Sequence, residues 1–162
     1  MPRRSVSLQK HVLELLRGGH AHVTLDDAVK GLSPASRGKR PRGAQHSVWE
    51  IVEHIRIGQR DILDFSRNTD GSYKSLEWPS DYWPPTSAPP SRTAWNASLT
   101  AIRNDRRALE RMVADPRARL FAPFPWGKGQ TLLRQSLLAA DHTSYHTGEL
   151  LLVRRLLGAW RP

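Results

Sequence analysis

The chain has 162 residues, no cysteine and a formal net charge of +10. That length suits one domain over 1–162 with a core of its own, and the lack of thiols excludes disulfides, thiolate ligands and a cysteine nucleophile from this sequence. An apolar content of 38% and a mean hydropathy of −0.56 describe a globular chain, with no apolar run near the ~20 residues of a membrane-spanning helix.

Any metal ion must therefore be held by nitrogen and oxygen donors, and the 7 histidines come first. No membrane partner is expected. The start Met1-Pro2-Arg3-Arg4 is basic, but the apolar stretch after it is short and interrupted by Glu14, a poor secretory signal. A cytoplasmic protein is expected. The positive charge admits nucleic-acid binding, because Lys and Arg that neutralise phosphates drive it. The arginines are nevertheless scattered, with Asp or Glu near many of them. The one dense cluster is Arg37-Gly38-Lys39-Arg40-Pro41-Arg42. A solvated basic surface is favoured over a nucleic-acid partner.

In chain order, a first helix is predicted from Ser5 or Val6 to about Arg17. Its stripe is Val6, Leu8, His11, Val12, Leu15 and Leu16, and Gly18-Gly19 stops it. Thr24 before Asp26 and Asp27 reads as the N-cap of a short helix over 25–32. His20 and His22 form an H-x-H pair, read as exposed or bonded to backbone rather than ligating. Residues 33–43 are a Pro/Gly/Ser/Arg linker. The second long helix is predicted over 46–67, capped by Ser47 with Glu50 three residues on, a capping box. Val48, Ile51, Val52, Ile55, Ile62 and Phe65 form its stripe, and His54 falls on the same face.

Residues 68–90 carry Tyr73, Trp78, Tyr82 and Trp83 among prolines, which bar regular structure. A loop this long usually covers something or works; the aromatic stretch 73–83 is a candidate cover for a pocket mouth or a partner surface. A third long helix is predicted from Ser91 or Thr93 to about Ala114. Trp95, Leu99, Ile102, Leu109, Met112 and Val113 face in, while Arg103, Asp105, Arg106, Arg107, Glu110 and Arg111 face out. After a second aromatic loop over 117–129, the last helix opens near Gly129-Gln130-Thr131 and runs to Leu157, where Gly158 stops it. The outline is all-α: four long helices, best buried as a four-helix bundle, with a long second-to-third connection that permits a crossover.

The last helix carries the chemistry. His142 and His146 are four residues apart, so they share a face, ~40° out of line and ~6 Å apart in rise. Two imidazoles so placed can share a metal ion. The row Leu138, His142, His146, Leu150 is apolar but for the histidines, and buried imidazoles need partners for both ring nitrogens. A third ligand is needed, and His54 is the obvious one, although a lone histidine on an apolar face is commonly a core residue with a satisfied hydrogen bond.

Three stretches resemble the DinB/YfiT-like superfamily of metalloenzymes. They are His54 within Ser47-Val48-Trp49-Glu50-Ile51-Val52-Glu53-His54-Ile55, the run His142-Thr143-Ser144-Tyr145-His146-Thr147-Gly148-Glu149-Leu150, and the closing Leu156-Leu157-Gly158-Ala159-Trp160. The resemblance covers essentially the whole chain. It implies a four-helix bundle with a crossover, a divalent metal on His54, His142 and His146, and often a homodimer. It also implies activities such as thiol S-transfer with bacillithiol or mycothiol and mycothiol-dependent isomerisation. Where the usual pattern ends in Gly-Gln, this chain has Gly148-Glu149, a carboxylate that either partners a ligand, acts as a base or faces solvent.

The favoured reading is a divalent-metal-dependent enzyme of the transferase or hydrolase class acting on a small molecule, with an open three-histidine site for Zn²⁺ or Ni²⁺. With no cysteine in the chain, a thiol nucleophile would come from an external low-molecular-weight thiol. The rival reading is a non-catalytic metal-binding or DNA-associated stress-response protein. A plainer one is a bundle whose histidines are merely buried.

Overall fold

The computed structural model describes residues 3–160, with side chains from Leu8 onward. Val6, expected on the first buried stripe, lies outside the described side chains, and Met1-Pro2 lies outside the described residues. Five helices form: α1 Arg3–Arg17, α2 Leu25–Val29, α3 Val48–Ser66, α4 Arg92–Ala114 and α5 Leu132–Leu156, with single 3₁₀ turns at Pro34–Ser36 and Ser80–Tyr82. No strand occurs among the described residues.

The starts are written in local chemistry. At α3 the Ser47 hydroxyl accepts from Glu50 N–H at 3.2 Å while the Glu50 carboxylate accepts from Ser47 N–H at 2.8 Å, satisfying two orphan donors at once. Thr24 and Asp27 repeat the device at α2. Ser91 and Thr131 cap α4 and α5 through their hydroxyls. At the other end of α1, Gly18 adopts φ +70°, a left-handed stop that glycine takes without strain. The α2 helix is shorter than predicted, because Lys30 is already extended at ψ 136°.

Helix α3 packs on both α4 and α5, α1 packs on the same two, and α2 lies against α5. Two apolar clusters result. One joins Val48, Val52 and Ile55 of α3, Trp95 and Leu99 of α4, and Leu150 and Val153 of α5. The other joins Val12 and Leu16 of α1, Ile62 and Leu63, Leu109 and Val113, and Leu132 and Ala139. Both α3 and α4 pass from the first cluster to the second, so they run in one sense and α5 runs in the other. The connection over 67–91 therefore travels the length of the helices. Asp61 fixes it on the way, accepting from both the Tyr73 and Tyr82 hydroxyls at 2.8 Å. Burial and then that carboxylate push Tyr73 up to about 12 and Tyr82 up as well, so both stay donors.

Several predicted faces shift. His11 and Leu15 are exposed, and the inward stripe of α1 is Leu8, Val12 and Leu16. Leu138 is exposed too, so in the row 138, 142, 146, 150 only His146 and Leu150 are buried and His142 is half-buried. Asp105, expected outside, is buried and pairs with Arg60 at 2.6 Å; burial raises its pKa while Arg60 opposes. The basic cluster over 37–42 is partly structural: the Arg37 guanidinium lies 4.5 Å from the centre of the Trp95 ring, and Arg40 forks onto the buried Glu50.

Candidate metal centre

The predicted three histidines meet. His54 comes from the first half of α3, and His142 and His146 from successive turns of α5. Their ring centres form a near-equilateral triangle with sides of 4.8, 4.5 and 4.6 Å. One nitrogen from each lies within 4.8 Å of the others. His54 and His146 are buried, His142 half-buried.

The hydrogen bonds decide which nitrogens are free. His54 Nδ1–H donates to the Tyr82 carbonyl at 2.9 Å. His146 Nδ1–H donates to the Glu149 carboxylate at 2.8 Å. A carbonyl and a carboxylate only accept, so both rings carry a proton at Nδ1, and Nε2 is the nitrogen left to face the centre. His54 Nε2 and His142 Nε2 stand 3.0 Å apart; a proton or a cation must lie between two nitrogens at that distance. A tetrahedral zinc ion with Zn–N near 2.0–2.1 Å needs nitrogens roughly 3.3 Å apart, a value inside the observed spread. Three imidazoles, two of them locked by acceptors behind the ring, fit a divalent ion. His142 is the looser member, since its buried Nδ1 has no partner.

Burial lowers the pKa of His54, with the Tyr82 carbonyl opposing it and the neighbouring His146 and His46 adding to it. Burial, then His146 and His54, lower His142 to about 4. Both rings are therefore neutral at pH 7, the state a metal needs. Glu149 is held below its ordinary value mainly by the His146 N–H, against burial and with help from His46.

The aromatic connection does cover this site. Trp83 stacks on His54 at 4.1 Å and 5°, and His46 stacks on the other face of Trp83 at 3.7 Å and 11°. His46 Nδ1 also lies 3.7 Å from the Glu149 carboxylate. A ring of contacts thus runs His54, Trp83, His46, Glu149, His146. Sequence reasoning offered the 73–83 loop as a candidate cover for a pocket mouth or a partner surface, and it missed His46, whose only signal was its place just before the Ser47 cap. His20 does not join the site, and His22 donates to the Val23 carbonyl.

Gly58, one turn after His54, was also missed. A Cβ there would stand 3.0 Å from His142 Cε1, so the bare backbone makes room for that ring. Gly58→Ala should favour the helix by up to about 1 kcal/mol yet displace His142. Metal affinity, read by competition with a chromophoric chelator, is expected to fall about tenfold or more while helix content by circular dichroism holds. Unchanged affinity would mean that His142 needs no such berth.

Residues 19–150 match the family model described as the DinB superfamily. No curated protein and no solved structure matches the chain.

Proposed function

Because the chain belongs to the DinB superfamily, we propose that it is a divalent-metal-dependent enzyme with His54, His142 and His146 as ligands, built as one four-helix-bundle domain with a crossover connection. One observation carries the reading: three imidazoles from two helices bring one nitrogen each within 4.8 Å of one another, and two have their outer N–H groups already held. A divalent ion there, zinc or nickel, would supply Lewis acidity and lower the pKa of a water or thiol bound to it. Three protein ligands leave a position open, the arrangement of catalytic sites rather than structural ones.

The chain's own residues do the rest. The Tyr82 carbonyl and the Glu149 carboxylate fix two rings and raise their basicity as ligands. Trp83 shields one face of His54 from water. Glu149, ionised and in reach of His46, can hold or pass a proton beside the site. Trp78 and Tyr145, 69% and 71% exposed, lie T-shaped against His54 and His146 and offer exposed aromatic surface to a small molecule. The reaction is transfer of an external low-molecular-weight thiol of the bacillithiol or mycothiol type, or metal-dependent hydrolysis. The protein acts as a cytoplasmic homodimer on a small-molecule substrate. A DNA-associated role is disfavoured, because Arg37 and Arg40 of the densest basic cluster are occupied within the fold.

The test is elemental analysis of untagged protein, as purified and after reconstitution with Zn²⁺ or Ni²⁺. About one equivalent per chain is expected; a protein that takes up none after reconstitution overturns the reading. Assays of the loaded protein with each thiol and an electrophilic acceptor, and with simple amide and ester substrates, then separate transfer from hydrolysis.

A further inference from the structure

A partly open cavity of ≈ 140 Å³ lies between α1, α4, α5 and residues 18–26, and none of the three histidines lines it. Its size is close to the about 150 Å³ of an engineered apolar cavity that stays dry and takes up benzene. Leu16, Leu25, Ile102, Ala139 and Ala140 give it an apolar wall, with threonine and charged side chains completing the lining. The two adjacent alanines on α5 open the space, where a helix of this chain would more often place leucine.

Two polar features face this cavity. Gln59 is 3% exposed and lines it. Its Nε2 donates to the Ile102 carbonyl at 2.6 Å, which identifies the nitrogen end of the amide; Oε1 has no protein donor. That oxygen opens onto the cavity, where a ligand hydroxyl can donate to it in place of water. At the mouth, Ser144 Oγ meets His22 Nε2 at 2.7 Å. Hydroxyls inside helices usually return to the carbonyl four residues back, as Ser66, Ser98, Ser136 and Thr147 do here. Ser144 instead reaches across and ties residues 18–24 to α5 at the edge of the opening.

The charged residues around it are already paired. Arg103 binds Asp26 at 2.7 Å, and Arg106 donates to the Arg17 carbonyl at 3.3 Å beside Glu110. Arg17, the third arginine of the lining, lies 3.3 Å from the same Glu110, so these three guanidinium groups each have a carboxylate beside them. We propose that this cavity is a binding site for a small uncharged molecule with an apolar body and one hydroxyl, of phenol or cresol size, whose hydroxyl donates to Gln59 Oε1.

Calorimetric titration of the full chain with phenol and with toluene tests this, on metal-free and metal-treated protein alike. Saturable phenol binding is expected in both forms, with toluene about three- to tenfold weaker because it brings no donor. Gln59→Leu should erase that preference, and Ala140→Leu, which fills the space, should abolish both. Three results would each overturn the proposal: no saturable phenol binding up to about 10 mM, equal affinity for phenol and toluene, or unchanged binding in a folded Ala140→Leu protein. None of them depends on whether the histidine site holds metal.

Discussion

Replacing His142 by alanine is expected to have two separable effects. Metal content should fall from about one equivalent per chain to near zero, since two imidazoles alone do not hold a divalent ion against dilution and washing. The metal-free variant should also resist acid better than the metal-free parent. His142 has an ordinary pKa of 6.5 that the fold lowers to about 4. Above pH 6.5 the ring is neutral in both folded and unfolded chains, and its contribution to stability is intact. Between 6.5 and 4 the unfolded chain binds a proton that the folded one refuses, so stability falls as pH falls. At 1.36 kcal/mol per unit the total is on the order of 3 kcal/mol. Below about 4 both states are protonated and the loss stops.

His54 acts in the same direction, its folded pKa also lowered by burial. Glu149 adds a loss at lower pH, where the carboxylate that accepts from His146 is protonated. Urea unfolding of both metal-free proteins at pH 7, 6, 5 and 4 reads the difference as two slopes. The alanine variant should show the shallower one. Identical slopes would mean that His142 is already solvated in the folded protein.

The sequence made some of this legible and hid the rest for physical reasons. Capping is local chemistry, so Ser47 with Glu50 and Thr24 with Asp27 could be found by spacing alone. The pairing of His142 with His146 follows from helical pitch, and His54 from its place on the face of α3 with Ile51 and Ile55. Helical period, however, reports a face and not what covers it. The placement of Asp105 outside failed because Arg60 arrives from α3 to pair with it, and no pattern within α4 signals that. Leu138 and Leu15 were taken as core by the same reasoning, yet lie beyond the edges of their buried stripes. The stacking of Trp83 between His46 and His54 needed the 67–91 connection to be laid along the helices, a long-range arrangement that proline content only hints at.

Arg154→Met is expected to be strongly destabilising although it lies outside the histidine site. Arg154 is 4% exposed, and among the described residues no carboxylate pairs with it. Its guanidinium donates to the carbonyls of Ala28 and Lys30 at the end of α2, and to Ala159 beyond α5 at 2.7 and 3.1 Å. It also lies 4.9 Å from the centre of the Trp160 ring. One side chain therefore closes the last carbonyls of a five-residue helix, too short to hold itself, and pins the chain end over it. Methionine keeps the volume but leaves three carbonyls without donors, at about 1 kcal/mol or more each. A loss of about 3 kcal/mol, or about 6–12 °C in Tm for a chain of this size, follows. Arg154→Lys retains the charge but not the fork, and should recover less than half of it. The neighbouring Arg155 is exposed, so Arg155→Met should change stability by less than about 0.5 kcal/mol. Metal-free thermal unfolding of the three variants separates these outcomes: equal Tm values for Arg154→Met and Arg155→Met would show that water satisfies those carbonyls as well as the arginine does.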